Sequence, residues 1–183
     1  LADGSVSNAE LQRLDGVTSD VQGQIDAKMP LAGGTFSGIV NFQKTASLLD
    51  KVSVYRNGSQ TIPSGPWIRV EFNAEVFDTA GHFANYRFTA AVGGYYQVAF
   101  TALMNDIIIN KRAIAGIFKD GALVADGRVA SYVTSLQLHM SLSKLVYLAV
   151  NSYIEGYVYQ DTGSDRILSG LRHQTFMTIM GPF

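Results

Sequence analysis

The stretch FNAEVFDTAGHFANYRFTAAVGGYYQVAF, residues 72–100, decides the fold of this chain. Apolar and polar residues alternate at its two ends, where WIRVEFNAEV (67–76) leads into it and TALM (101–104) continues it. A period of two is typical of a half-buried strand. Two groups of turn-forming residues separate the strands of this stretch. They are residues 78–81 and the pair Gly93-Gly94. The inward positions are predicted to be Ile68, Val70, Phe72, Ala74 and Val76, then Tyr96, Val98, Phe100, Ala102 and Met104.

The same pattern continues to the end of the chain. Strand-like segments alternate with turn signals at Asn57-Gly58, Lys119-Asp120-Gly121 and Ala125-Asp126-Gly127. Many short strands with regular turns predict a β-sandwich. We therefore assign residues 51–183 to one mainly β head.

The order of aromatic and glycine residues resembles the globular head of the complement first-component q-subunit family, which shares its jelly-roll fold with tumour necrosis factor. Val98 and Thr178 depart from that family's pattern, which has Phe and Gly at the corresponding places. The resemblance covers about residues 50–183 and implies a jelly-roll head. It rests on Phe72, Asp78, Phe83, Phe88, Gly94, Tyr96 and Phe100, and on the closing pair Thr175-Phe176.

Residues 1–30 are predicted to form a helical stalk segment. Ser7 and Glu10 have the spacing of a capping box, and an apolar seam follows at a coiled-coil spacing. Such short helices are marginal alone, so they are expected to pair with other copies; a surface helical hairpin is the alternative. Pro30 ends the segment, and residues 31–50 are expected to run as an extended Gly-rich linker. The seam consists of Leu11, Leu14, Thr18, Val21 and Ile25.

This N-terminal stretch is similar to a segment of bacteriophage tail fibres. The matching elements are Leu14–Ser19, Gln22–Lys28 and Gly33–Gly38. The resemblance implies a virion protein, placed at the tail-fibre tip and extracellular when it acts, with further fibre segments upstream. The start at Leu1 fits the C-terminal piece of a longer or processed protein.

Composition narrows the class of function. Of 183 residues, 16% are charged and 47% are apolar, and the formal net charge is −1. So little charge predicts apolar surface covered by partners, most simply copies of the same chain. The absence of a basic run argues against nucleic-acid binding, and no apolar run is long enough for a membrane span. Without cysteine, disulfides and thiolate zinc sites are excluded.

Two strands are predicted to form the interface of a homotrimer. In LVYLAVNSYIEGYVY (145–159), tyrosines occupy one face, and the last strand is apolar on both faces. Tyrosine suits an interface because it buries a large area and keeps a hydroxyl for a partner. The alternative is that both strands are central and covered by loops. The predicted head interface comprises Tyr147, Tyr153, Tyr157, Tyr159, Met177 and Ile179, and the stalk interface comprises Leu11, Leu14, Val21 and Ile25.

No catalytic or cofactor motif is present in the sequence, so we expect no enzyme activity and no cofactor. Three scattered histidines give no metal cluster within one chain, although a threefold axis would bring three copies of one together. The family resemblance leaves calcium open, with Asp106, Asp120, Asp126, Asp161 and Asp165 as candidates; turn formation explains these residues equally well. Glu71 and Glu75 are the nearest approach to a glycosidase pair, and they fit solubilising charges on a strand.

The sequence favours a trimeric receptor-binding head that attaches a phage to a host-cell glycan or protein. Weak contacts repeated on three heads would add up through avidity. The alternatives are a complement-like trimerisation module without an adhesive role, and a glycan-cleaving tail enzyme. Loops are expected to carry recognition, with His82, Asn105, Asp106, Asp120, Asp161, Thr162 and Ser164 as the candidate residues.

Overall fold

A computed structural model describes residues 49–133 and 135–183, and these residues form two antiparallel sheets packed face to face. The predicted stalk and linker, with Leu11, Leu14, Val21 and Ile25, lie outside the described residues. No described residue is helical, so none of them belongs to a helix that could span a bilayer. The strands are β1 (Asp50–Tyr55), β2 (Gln60–Ile62), β3 (Ile68–Arg69), β4 (Ala74–Asp78), β5 (Phe83–Ala84), β6 (Arg87–Thr89), β7 (Gly94–Ile107), β8 (Arg112–Lys119), β9 (Ala122–Ala130), β10 (Leu136–Leu148), β11 (Tyr153–Gln160), β12 (Arg166–Leu168) and β13 (Phe176–Gly181).

The seven-stranded sheet is organised around β7. One edge of β7 pairs with β10, and the other edge pairs first with β13 and then with β12. Beyond β13 come β1 and β4, and beyond β12 comes β2. The six-stranded sheet has the order β5-β6-β11-β8-β9, and the two-residue strand β3 shares an edge of β11 with β6.

Side chains from both sheets fill the space between them, as the alternation predicts. Phe72, Tyr96 and Phe100 are buried, and the ring of Phe72 meets that of Phe100 edge-on at 5.7 Å. Gly156 lies beneath these rings, because a Cβ atom there would approach Phe72 to 3.0 Å. The mainly β sandwich expected for residues 51–183 is therefore confirmed.

Three local predictions were wrong. Residues 68–76 are two strands in different sheets, joined by a crossover in which Val70 and Phe72 stay buried while Val76 is exposed. Segment 145–159 is likewise divided by a turn at 149–152. The Ala125-Asp126-Gly127 sequence lies inside β9, where it pairs with β8, instead of forming a turn. The alternation of apolar and polar residues reflects burial, and burial continues through a crossover from one sheet to the other. The sequence pattern therefore does not reveal where the chain changes sheet.

Candidate functional site

The sandwich has two ends that carry different loops. At the first, or proximal, end, Asp50 of β1 lies opposite Gly181 of β13, and the loops 78–83, 89–94, 119–122 and 148–153 gather there. The second, or distal, end carries the loops 107–112, 130–136, 160–166 and 168–176. Leu49, the first residue that the structure describes, lies at the proximal end beside Asp50.

The predicted recognition residues divide between these ends. His82 and Asp120 are proximal, and each is used locally: His82 Nδ1 lies 2.9 Å from Asp50 Oδ2, and Asp120 Oδ1 accepts the Tyr153 N–H at 2.8 Å. Asp120 and Gly121, both at positive φ, form the predicted tight turn between β8 and β9. These two residues therefore anchor the proximal end.

The other predicted residues lie at the distal end. Asp106, at φ 57°, accepts the Ser135 hydroxyl at 3.1 Å, and Asn105 precedes it at the end of β7. Asp161 accepts two hydrogen bonds from Arg112, at 2.8 Å each, through the backbone N and Nε. That pairing raises the pKa of the Arg112 guanidinium.

Thr162 is a correction to the prediction. It is buried, its backbone N–H donates to the Gln160 side chain at 2.7 Å, and its hydroxyl donates to the Ser164 carbonyl. It therefore shapes the 160–166 loop and is not accessible to a ligand. Ser164 is exposed beside it.

The distal end also carries a group of exposed apolar side chains, the apolar tip, that the sequence pattern did not predict. Tyr132 is 82% exposed, and Ile109, Val133 and Leu136 are also exposed. The two loops that carry them are joined by backbone hydrogen bonds between Asn110 and Ser131 and between Ser131 and Lys111. The available signal was Ser131, whose hydroxyl bonds back to Val133 in a Ser turn.

On the outer side of the seven-stranded sheet, the outward positions within 95–103 of β7, 139–147 of β10 and 176–180 of β13 carry no Asp, Glu, Lys or Arg. We call this surface the uncharged face. Pairing places these side chains directly beside one another, for example Thr178 next to Ala99 and Ser141 next to Thr101. The face consists of Tyr95, Gln97, Ala99, Thr101, Leu103, His139, Ser141, Ser143, Leu145, Tyr147, Phe176, Thr178 and Met180.

Two depressions extend this face toward β1 and β4. The larger, about 500 Å³, is lined by Ser53, Tyr55, Val76, Arg172, His173, Phe176 and Thr178. The smaller, about 240 Å³, is lined by Lys51, Val52, Phe77, Gln97, Ala99, Thr178, Ile179 and Met180. The uncharged face resembles the centre of a protein interface, and charged residues, Lys51 and Arg172, enter only at the depressions beside it.

The predicted interface residues of the head fall on two different surfaces and in the buried core. Met177 and Ile179 are buried in the core of their own chain, so they cannot contact a partner; on β13 the outward side chains are Phe176, Thr178 and Met180. Tyr147 lies on the uncharged face, where its ring meets Tyr95 at 5.4 Å. Tyr153, Tyr157 and Tyr159 lie on the other sheet, facing away from the core.

That second surface is a layer of aromatic and ionic groups on the outer side of the six-stranded sheet. Trp67 packs against Phe118 and Tyr159, and Phe118 meets Tyr157 at 4.3 Å. Burial, followed by the charge of Glu155, raises the pKa of Tyr157. The rings of this layer cover one another, and Glu155 lies buried at its end.

The described residues contain no group of three or more His, Asp or Glu side chains that could hold a metal ion. The calcium candidates are spread apart, and several have partners in the protein. Asp126 pairs with Arg128 on β9, whereas Asp106, Asp120 and Asp161 make the contacts given above. Calcium binding stays a prediction of the resemblance alone.

Comparison with solved structures agrees with the fold. The chain is similar to Eiger TNF from S. frugiperda with a TM-score of 0.56, at 10% identity, over 72% of this chain and 91% of that one. The globular domain of zebrafish complement 1qA has a TM-score of 0.54 at 17% identity, over 73% of this chain and 97% of that domain. Murine APRIL gives 0.54 at 10% identity, over 72% and 98%. The head has the jelly-roll fold of these domains.

At these identities the likeness concerns the fold alone. No protein-family profile matches the chain, and no curated protein matches it.

Proposed function

We propose that this chain is the distal part of a bacteriophage tail fibre, in which three heads associate and attach the virion to the surface of a host cell. The binding is non-covalent, and no chemical step is involved. The fibre context rests on the similarity of residues 14–38 to tail-fibre segments. The partners would be two further copies of the chain, upstream fibre segments, and a host glycan or protein.

The observation that carries the proposal is the separation of the two ends of the head. Leu49, the first described residue, lies at the proximal end beside Asp50, and the distal loops lie at the opposite end of the head. Those loops combine an exposed aromatic residue, Tyr132, with the polar side chains of Asp106 and Ser164. Rigid sandwiches commonly carry recognition on such loops.

Association of the heads is supported by the uncharged face. An exposed surface without charge lowers solubility unless a partner covers it. With closed symmetry, three identical heads would cover it and would present three distal ends in one direction. Weak binding at each would then sum to firm attachment.

Light scattering of the full chain tests the association. The expected mass is about three times 19.8 kDa. Thr178→Lys, at the centre of the uncharged face, is expected to yield a folded monomer, because it places an unpaired charge in the interface. The matched control, Ala130→Lys on exposed β9, is expected to stay trimeric. A wild-type monomer at micromolar concentration would refute the association.

Attachment is tested separately with fluorescently labelled chain on a panel of bacterial strains. Saturable binding to some strains is expected, with no release of reducing sugar from their surface polysaccharide. A folded trimer that binds none of the strains would indicate a trimerisation module without an adhesive role. Release of sugar would indicate a tail enzyme.

A further inference from the structure

A buried carboxylate lies on the outer side of the six-stranded sheet beneath two arginines. Glu155 is 2% exposed, although β11 directs its side chain away from the core. Arg69 Nη1 donates to Glu155 Oε1 at 2.8 Å, and Arg87 Nη2 forms a salt bridge with the same oxygen at 3.0 Å. The other oxygen, Oε2, accepts the Tyr157 hydroxyl at 3.3 Å. The carboxylate therefore fixes the position of both guanidinium groups.

The ion cluster is not electrically balanced. Two guanidinium groups meet one carboxylate, and the nearby Glu71 lies 4.0 Å from Arg56 instead. The side chains of Arg69 and Arg87 stay 33% and 38% exposed, so N–H groups not used by Glu155 face outward. Arg87 Nε is buried and has no acceptor among the described residues. Arg69 and Arg87 together with Glu155 thus carry an excess positive charge, and the exposed parts of both arginine side chains leave it open to a ligand.

Aromatic rings border these arginines. The guanidinium of Arg87 lies 4.3 Å from the centre of the Tyr153 ring, and that of Arg69 lies 5.4 Å from the Tyr86 ring. Tyr86 follows Asn85 in the tight turn between β5 and β6, and it adopts φ 64°. Asn-Gly is the favoured pair for such a turn, so tyrosine at the second position strains the backbone. Strained residues concentrate at binding sites, where the side chain is needed in that place.

We propose that Arg69, Tyr86, Arg87 and Tyr153 form a binding site for an acidic saccharide. The guanidinium groups would hold the carboxylate of a uronic or sialic acid through charge-assisted hydrogen bonds. The tyrosine rings would pack against the apolar face of the sugar ring and offer hydroxyls to its polar edge. Glu155, buried below, orients the two arginines and is a positioning residue.

An acidic peptide fits this site less well. One mode of binding an extended peptide adds it as a strand to a free sheet edge. Here the edge of β11 is occupied by β6 and β3, and between them the Val70 N–H donates to the Gly156 carbonyl at 2.8 Å. A compact ligand with one acid group therefore suits the surface better than an extended chain.

This site is separate from the distal loops, so it does not depend on the proposed attachment by those loops. It would give each head a second contact along its side. Binding measured with purified sugars tests it independently of binding to cells.

Calorimetric titration of the full chain is the test. The acidic probes are a hyaluronan tetrasaccharide and 3′-sialyllactose; the neutral controls are carboxyl-reduced hyaluronan tetrasaccharide and lactose, and a pentaglutamate peptide represents the alternative ligand. Saturable binding is expected for at least one acidic sugar and should weaken with added salt. The neutral controls and the peptide are expected not to bind.

Two variants locate the site. Arg87→Gln is expected to weaken binding of the acidic sugar by about tenfold or more. The matched control, Arg128→Gln, changes an exposed arginine of β9 and should leave the affinity unchanged. Because Arg87→Gln leaves Glu155 with fewer partners, its folding is checked by melting temperature. Tyr86→Gly relieves the strained turn, so it is expected to raise the melting temperature and still reduce affinity.

The outcomes separate the two roles of the cluster. No binding of either acidic sugar would overturn the proposal, and the arginines would then serve stability alone. Binding that Arg87→Gln and Tyr86→Gly leave unchanged would also overturn it. Preferential binding of the peptide would assign the site to a protein ligand instead.

Discussion

Tyr96 is a buried side chain that makes the stability of the core depend on pH. It is fully buried, and its hydroxyl donates to the Val92 carbonyl at 2.8 Å. Burial raises the pKa of Tyr96 to about 12, and the negative charge of Asp50 adds to the effect. Ionisation of this phenol would place a charge among apolar groups, so the folded state holds the proton more tightly than the unfolded state.

Tyr96 is therefore expected to limit stability at alkaline pH. Its contribution is fully present below the unfolded pKa of 10.0 and is lost as pH rises toward about 12. The loss is roughly 2–3 kcal/mol. Tyr96→Phe should remove this part of the pH dependence and cost about 1 kcal/mol at neutral pH through the lost hydrogen bond. Urea unfolding at several pH values measures both effects, and parallel pH profiles for the two proteins would contradict the assignment.

Phe100 is the central aromatic residue of the core. It is buried on β7 and meets Phe72 edge-on. Phe100→Ala is expected to lower the free energy of unfolding by about 3–5 kcal/mol, because it removes apolar contact and leaves a cavity. The control is Phe183→Ala, at a position that is 62% exposed, where a change within about 0.5 kcal/mol is expected. Denaturant titration distinguishes the two, and equal effects would contradict the core assignment.

Within a single element, β13, one face packs into the core and the other face forms part of the uncharged face. Met177 and Ile179 point into the sandwich, whereas Phe176, Thr178 and Met180 point outward onto the uncharged face. The sequence is apolar on both sides, so composition did not distinguish them. The pairing of β13 between β1 and β7 fixes which side faces the core.

Lysine substitutions on β13 are expected to separate folding from association. Met177→Lys buries an unpaired charge and should unfold the head or lower its melting temperature strongly. Met180→Lys, at a residue that is 41% exposed, should keep the melting temperature of the single chain and weaken self-association. Circular dichroism measures the first effect and light scattering the second. If Met180→Lys destabilised the fold as much as Met177→Lys, the faces would be assigned wrongly.

Across the whole head, the two ends of the sandwich carry different groups of residues. His82 and Asp50 form a hydrogen-bonded contact at the proximal end, and the apolar tip around Tyr132 lies at the distal end. The two groups of loops were indistinguishable in sequence. Long antiparallel strands such as β7 and β10 carry the chain from one end to the other.

Binding to cells is accordingly expected to depend on the distal end. Tyr132→Ala, at an exposed side chain, should abolish or greatly weaken attachment and leave the melting temperature unchanged. His82→Ala, at the proximal end, should leave attachment unchanged even if stability falls. Flow cytometry on the strains that bind the wild-type chain measures both variants. The distal assignment fails if His82→Ala removes binding and Tyr132→Ala does not.

The class of fold and much of the core follow from the order of residues alone. Alternation of apolar residues reports burial at each position, and burial is a local property of a strand. Phe72, Tyr96 and Phe100 were therefore identified correctly, as was the turn at Asp120-Gly121. Residue order also pointed to the jelly-roll head.

The sheet that each strand joins depends on long-range pairing, which is visible in the folded structure alone. The alternation runs unbroken through the crossover at Val70 and Phe72, because both sheets border the same core. A change of sheet is a change of hydrogen-bonding partner, and that partner lies far away in the sequence. For this reason Tyr147 and Tyr157 were expected on one face and lie on opposite sides of the sandwich. The cluster of Arg69, Arg87 and Glu155 was hidden for the same physical reason, since three separate strands bring it together.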